Sequence, residues 1–206
     1  MLILMMVAGL STPAPVGATR YSLGLRPVGL ALRVQGGESE QVSFQAAEAL
    51  QRKIDGIKGK KEKSKRDFVN VSEVEVKSYI MFLLQQKKMP AKLDWVDVQF
   101  SPGNVATNVQ LTLGQNAMGN YVVDKIIQGT HTLWVKGKFE GAGGRGKFDL
   151  ESVRVDRLPV PVFLAEVVFN RLVKPMLPEA DIRHPFQLPF GISSLTILPG
   201  KSVVLY

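Results

Sequence analysis

Residues 93–113 read LDWVDVQFSPGNVATNVQLTL, and this stretch decides the fold class of the chain. Its second half alternates apolar with polar positions, and a period of two residues is typical of a β-strand with one buried face. The predicted buried positions are Val105, Thr107, Val109, Leu111 and Leu113. The preceding residues 101–104, Ser-Pro-Gly-Asn, are typical of a turn between two strands. The stretch therefore predicts an antiparallel β-hairpin.

The strands around this hairpin change face along their length. In the first strand the apolar positions switch sides at Trp95 and Val96, which indicates a β-bulge or a sharp twist. A third strand is predicted from Leu133 to Phe139, and a fourth, with the same kind of switch, over 148–155. Glycine-rich turns at 114–120 and 141–146 separate these strands. We expect an antiparallel meander that forms a strongly curved sheet.

Two helices are predicted ahead of the meander. Residues 43–57 have apolar side chains at spacings of three and four, which predicts an amphipathic helix that ends near Gly56. Ser72-Glu73-Val74-Glu75 is a capping box, the signature of a helix N-terminus, and a stripe of apolar residues follows it. The members of that stripe are Val76, Tyr79, Ile80 and Leu83.

A third helix is predicted at about 161–176, after the meander. Its apolar residues cover most of the circumference, so it should be enclosed by a curved sheet or by lipid. The chain then closes with a hairpin over 192–206, around Pro199-Gly200. The order helix, helix, meander, helix, hairpin predicts an α+β domain, with the sheet wrapped around one or two long apolar helices. The pattern leaves open whether these elements enclose an apolar cavity or a filled core.

The first eighteen residues predict export. An apolar run from Leu2 to Leu10 is followed by a small-residue site at Val16-Gly17-Ala18, the pattern of a secretory signal peptide. Nine apolar residues span only about 14 Å as a helix, against a hydrocarbon core of roughly 30 Å. We therefore expect a single α+β domain over residues 19–206, located in the periplasm or cell envelope, without cysteine and so without disulfide bonds.

The net charge of +8 is concentrated in a predicted basic loop at residues 58–66. Such a cluster attracts anionic lipid headgroups, at about 1 kcal/mol per basic residue near the surface. The alternative is a loop that only contacts water. Nucleic acid is not expected as a partner, because an exported protein rarely meets it and no aromatic residues are interleaved for base stacking. The basic residues are Lys58, Lys60, Lys61, Lys63, Lys65 and Arg66.

The candidate catalytic residues form no recognisable catalytic set. Gly141 to Gly146 precede a strand rather than a helix, so they predict a hairpin turn and not a phosphate-binding loop. Neither His131 nor His184 is accompanied by a nucleophile motif. We interpret the acidic residues as charge balance on a basic protein, and we expect no metal and no cofactor. Those acidic residues form the pairs Asp94 with Asp97 and Asp149 with Glu151.

Two segments resemble a known superfamily. The sequence VNVSEVEVKSY at residues 69–79, a strand leading into a helix that starts with Ser-Glu, is similar to the start of small exported bacterial domains related to the tubular lipid-binding superfamily. The end is also similar: LPFGI at 188–192, a short strand, a Pro-Gly turn and a last strand. The resemblance covers residues 67–206. It implies a strongly bent antiparallel sheet around a long helix, with lipid acyl chains in the groove of some members.

The first functional hypothesis is a non-catalytic envelope protein that binds a lipid or another apolar small molecule and acts in lipid transport or maintenance. The second is a structural or assembly module with a filled core and a protein partner, and the third is a hydrolase whose site is not recognisable. Under the first hypothesis, the basic loop would contact anionic membrane surfaces. The residues expected to line the ligand are Val76, Tyr79, Ile80, Leu83, Val167, Val168 and Leu172.

Overall fold

The computed structural model shows an α+β protein with two helices and one large antiparallel sheet in its described residues. The described residues are 41–59, 67–85, 91–114, 128–161, 163, 165–166, 169–170 and 184–206, with only the backbone at 83–85 and 91. The predicted leader at 1–18 and most of the predicted helix at 161–176 lie outside them. So does most of the predicted basic loop.

Helix α1 spans Phe44–Gly59 and buries the apolar face that the spacing predicts. Its Ser43 hydroxyl accepts a hydrogen bond from the Ala46 backbone N–H at 3.1 Å, which caps the helix. The predicted end near Gly56 is wrong, since the helix continues for one more turn. Lys58 therefore lies in that last turn and not in a loop, at a helix end where a positive charge is favourable. The buried residues are Ala47, Leu50, Ile54 and Ile57.

Strand β1 (Phe68–Ser72) leads directly into helix α2 (Glu73–Gln85), and the predicted capping box is confirmed at their junction. The Glu75 backbone N–H donates to the Ser72 hydroxyl at 3.2 Å, and the Ser72 N–H donates to the Glu75 carboxylate at 2.9 Å. Lys53 of α1 also pairs with that carboxylate, so this junction connects the two helices.

The predicted meander is confirmed, and it consists of four strands: β2 (Ala91–Ser101), β3 (Asn104–Leu113), β4 (Gly129–Ala142) and β5 (Arg145–Val155). Each strand pairs antiparallel with the next. Both predicted face switches coincide with register shifts, one between Leu93 and Trp95 and one opposite Lys136 and Gly137. The β4–β5 turn is a hairpin turn as predicted, because Gly143 and Gly144 have φ angles of 59° and 76°.

The predicted closing hairpin is also present. It consists of β8 (Ser194–Leu198) and β9 (Lys201–Leu205), and β9 pairs with β1. Strand β8 joins the meander where Leu195 faces Gly141 of β4. A Cβ on Gly141 would lie 3.0 Å from the Leu195 carbonyl oxygen, so this close approach of two backbones requires glycine.

The strand order is β1-β9-β8-β4-β3-β2, and β5 adds to the free side of β4. Two short strands, β6 (Leu158–Pro159) and β7 (Phe186–Gln187), pair with β5. In the described part of the chain β1 and β2 do not pair, so the sheet stays open. Only single positions of the predicted 161–176 helix are described: Phe163 is 61% exposed, whereas Phe169 is buried.

Candidate functional site

One face of the meander carries the apolar residues of all four strands, and we call it the inner face. The registers place side chains on it in rows that cross the sheet. Along β3 the face extends from Val105 to Leu111, six residue steps or about 20 Å. The rows are Phe100-Val105-Gly137-Leu150, Val98-Thr107-Val135-Val153, Val96-Val109-Leu133-Val155 and Leu93-Leu111-His131.

The end of the inner face next to the closing hairpin is covered by helix α1, and we call it the covered end. It comprises the buried residues Phe100, Val105, Phe139, Leu195 and Ile197. A cavity of about 70 Å³ lies between these side chains and Leu50, Ile54 and Ile57 of α1. An apolar cavity of about 150 Å³ is needed for benzene, so this space is too small for an acyl chain.

The mouth of this cavity carries a strained residue. Phe190 lies in a 3₁₀ turn (Pro189–Gly191) with a φ of 58°, a left-handed conformation that is costly for an aromatic residue. Its ring lines the cavity, and the Lys58 ammonium lies 4.6 Å from the ring centre. This cation–π contact gives Lys58 a packing role that the basic-loop hypothesis did not include.

The other end of the inner face is different, and we call it the open end. Its residues belong to β3 and β4 and have the same apolar character, yet each remains only half-buried. The β2 residues beside them are buried, because α2 packs against β2. An apolar surface of this kind, left half-exposed in a folded protein, is typical of a binding site. The members of the open end are Thr107, Val109, Leu111, Leu133 and Val135.

A histidine and an aspartate meet at the far rim of the open end. His131 shares the last row with Leu111, and its Nδ1 lies 2.9 Å from the Asp156 carboxylate. The other Asp156 oxygen accepts the Thr132 backbone N–H at 2.9 Å. The hydrogen bond from His131, followed by that from Thr132, lowers the pKa of Asp156. The second ring nitrogen of His131, Nε2, is buried and makes no hydrogen bond within the part of the chain that the structure describes.

This pair lacks what hydrolysis requires. A histidine acting as general base needs a nucleophile within hydrogen-bond distance, and in the described residues no hydroxyl bonds to Nε2 of His131. His184, the other candidate, lies just before β7 on the far side of β5.

The acidic candidates are separated, each with its own partner. Asp94 accepts a hydrogen bond from Thr112 and pairs with Lys92 at 3.0 Å, and these two contacts lower its pKa. Asp97 instead accepts from Gln99. In the same way, Asp149 pairs with Lys147 at 2.7 Å and Glu151 with Lys136 at 2.9 Å. Neither predicted carboxylate pair forms a joint site, and in the described residues no three metal-ligating side chains cluster.

The predicted lining residues lie partly at the cavity. Val76 lines it, whereas Tyr79 and Ile80 are buried in the adjoining core without lining it. The Tyr79 hydroxyl donates to the Gln51 side chain at 3.0 Å, and burial raises the pKa of Tyr79 to about 12. The Leu83 side chain lies outside the described residues, as do Val167, Val168 and Leu172. Of the basic residues, Lys60, Lys61, Lys63, Lys65 and Arg66 lie outside them too.

Two features of the site were missed by the sequence analysis. The pairing of Asp156 with His131 depends on a left-handed residue, because Asp156 has a φ of 57° and turns back onto β4. An Asp directly after a strand tolerates this conformation, and that was the available signal. The role of Phe190 had no signal, since an aromatic residue is not expected at positive φ.

No protein-family model, no curated protein and no solved structure matches this chain. None of the described helices combines the length and the apolar character that crossing a bilayer requires. The interpretation of the site therefore depends on its own geometry.

Proposed function

We propose that this protein binds the apolar chain of a lipid, or a similar apolar small molecule, along its inner face and does so without catalysis. The observation that carries the proposal is the open end: four apolar residues and one threonine on two adjacent strands form a surface that stays partly exposed in the described structure. Covering such a surface with an acyl chain yields about 25 cal/mol per Å² of apolar area removed from water.

The dimensions of the inner face support a single chain. The open end runs from Thr107 to Leu111 along β3, about 13 Å, and one leaflet of a bilayer contributes about 15 Å of hydrocarbon, half of the roughly 30 Å core. The cavity at the covered end lies on the same face, next to Val105. A chain lying on the open end would thus point one end towards the cavity and the other towards His131.

We also propose a strongly curved sheet that encloses the ligand, and a location in the periplasm or cell envelope. A strongly curved sheet around a long apolar helix at 161–176 would enclose the ligand from the side opposite the strands. A cleaved leader at 1–18 would deliver the protein to the periplasm or cell envelope, and the basic residues at 58–66 would guide it to anionic headgroups. A mature N-terminus at Thr19, determined by N-terminal sequencing, would support the leader.

Native purification followed by lipid extraction and mass spectrometry tests the proposal. The unaltered protein is expected to carry lipid in a defined molar ratio. Val109→Trp fills the open end and should abolish this, whereas Gln110→Trp places the same side chain on the opposite face of β3 and should not. Circular dichroism verifies that both variants fold. Absence of lipid from the unaltered protein, or equal loss in both variants, would contradict the proposal and favour an assembly module with a filled core.

A further inference from the structure

The most informative polar atom on the inner face is Nε2 of His131. The ring is one-quarter exposed, yet this nitrogen is shielded from water and makes no hydrogen bond in the described residues. A buried polar atom without a partner destabilises the folded protein, so each one in a native structure requires an explanation, and a bound ligand is one such explanation. The surroundings of the ring on the inner face are apolar: Leu111 is its neighbour on β3, and Leu133 follows it on β4.

The partner of the other nitrogen determines what Nε2 offers. An ionised carboxylate only accepts hydrogen bonds, and Asp156 is ionised at neutral pH because its pKa is lowered. Nδ1 of His131 must therefore carry a proton and donate it to Asp156 across 2.9 Å. In the neutral ring Nε2 is then left with a lone pair, on a side chain that shares the last row of the inner face with Leu111. It can accept a proton, or it can share one with an acid.

The ligand that matches this atom has an acidic end. A carboxylate that binds at neutral pH does so together with one proton taken up from water at Nε2, and the resulting hydrogen bond joins an imidazolium to the carboxylate, a strong charge-assisted pair. An ester offers only acceptors to the lone pair and gains nothing. An alkylammonium could donate, but the net charge of +8 disfavours the approach of a cation.

We propose that the open end selects a single-chain carboxylic acid, a free fatty acid, whose carboxyl group hydrogen-bonds to Nε2 of His131 while its chain lies along the inner face towards the covered end. The inference depends on the proposed function, because it assigns the polar end of the same ligand. Asp156 acts as a positioning residue, because its hydrogen bond to Nδ1 fixes the orientation and the tautomer of the ring.

Displacement of the neutral fluorescent probe N-phenyl-1-naphthylamine from delipidated full-length protein tests this, with dodecanoic acid and its methyl ester as competitors. The unaltered protein should bind the acid at least about 10-fold more tightly than the ester. His131→Phe keeps the ring size and should lose this preference. Asp156→Asn should lower the acid-to-ester ratio several-fold, an effect that a purely structural role of Asp156 would not produce.

The outcomes separate the two proposals. Equal binding of acid and ester by the unaltered protein overturns the role of His131. This measurement uses the unaltered protein alone, so it does not depend on the folding of a variant. An undiminished preference in His131→Phe overturns it as well. Both results leave the apolar site in place. If neither competitor nor probe binds to the unaltered protein, the proposed function itself is wrong.

Discussion

The covered end and the open end meet on strands β3 and β4 and present the same kind of side chain, but their side chains differ in burial. At the covered end Val105 is buried beneath α1, whereas Val109, four residues along β3 and on the same face, is half-exposed. The strand pattern is continuous through both ends. The difference therefore comes from the helices and not from the sheet.

This difference separates stability from binding. The covered end gains the hydrophobic energy of folding, because its side chains contact two layers of structure. The open end gains only part of that energy, and the remainder is available to a ligand. Substitutions at the covered end should therefore mainly change the free energy of unfolding, and substitutions at the open end should mainly change ligand affinity.

The largest expected effect is on the free energy of unfolding. Leu195→Ala at the covered end removes a buried side chain and should cost about 2–5 kcal/mol. Leu111→Ala at the open end should cost about 1 kcal/mol, since that side chain is only half-buried. Urea unfolding monitored by circular dichroism measures both. Equal losses would remove the distinction between the two ends.

The capping box should contribute the next largest effect. Ser72→Ala removes the acceptor for the Glu75 N–H at the start of α2 and should cost about 1 kcal/mol. Because this junction supports the helices over the covered side, ligand affinity at the open end should stay unchanged. Thermal unfolding and probe binding, measured on the same samples, check both statements. A parallel loss of affinity would mean that the two ends are coupled.

A smaller effect is expected at the cavity mouth. Lys58→Met keeps the length of the side chain and removes its charge over the Phe190 ring, so it should cost about 0.5–1 kcal/mol. Lys201→Met, an exposed lysine of β9, is the control and should be neutral. Denaturant midpoints that shift equally in both variants would argue against a specific contact at Phe190.

The stability of the protein should also change at both extremes of pH, through Tyr79 in the core at high pH and through Asp156 at the open end at low pH. Burial raises the pKa of Tyr79 to about 12, so the folded state holds this proton more tightly than the unfolded state, whose tyrosine pKa is about 10. The resulting stability is present below pH 10 and is lost as the pH rises towards 12. An ultraviolet titration should show a late phenolate step that Tyr79→Phe removes. A titration without that step in the unaltered protein would contradict the burial of Tyr79.

At the open end the smallest effect appears in acid. The hydrogen bonds from His131 and Thr132 lower the pKa of Asp156 below the value of about 3.9 found in unfolded chains. The stability from this carboxylate is present above that value and is lost as the pH falls through the folded-state pKa. Asp156→Asn should therefore flatten the acid limb of the stability curve. An unchanged limb would mean that the His131–Asp156 pair does not form in solution.

Local patterns predicted most of the fold. The period of two over 105–113 and the face switches near Trp95 and Leu150 define the meander, because side chains alternate along a strand and a bulge interrupts that alternation. The capping box at Ser72 also predicted where α2 begins, because its hydrogen bonds join residues only three positions apart. The end of α1 was misplaced, because Gly56 is followed by Ile57, whose burial continues the apolar face of the helix beyond the glycine.

The site was less predictable because it depends on distant pairings. No local signal brings β9 to β1 or Leu195 to Gly141, and these pairings decide which end of the inner face is covered. The contact between His131 and Asp156 joins residues 25 positions apart through a single left-handed residue. Val76 does line the small cavity, but its predicted role in lining a ligand stays a prediction. The sequence did not separate the covered from the open end.

Photolabelling tests the central claim, that the open end binds an apolar chain, most directly. A fatty acid with a diazirine in the middle of its chain, bound to delipidated protein and irradiated, should label Val109, Leu111, Leu133 and Val135, as located by tandem mass spectrometry. The alternating residues Asn108, Gln110 and Trp134, on the opposite face of the same strands, should remain unlabelled. Label on those residues instead, or at the same level on both faces, would contradict the account.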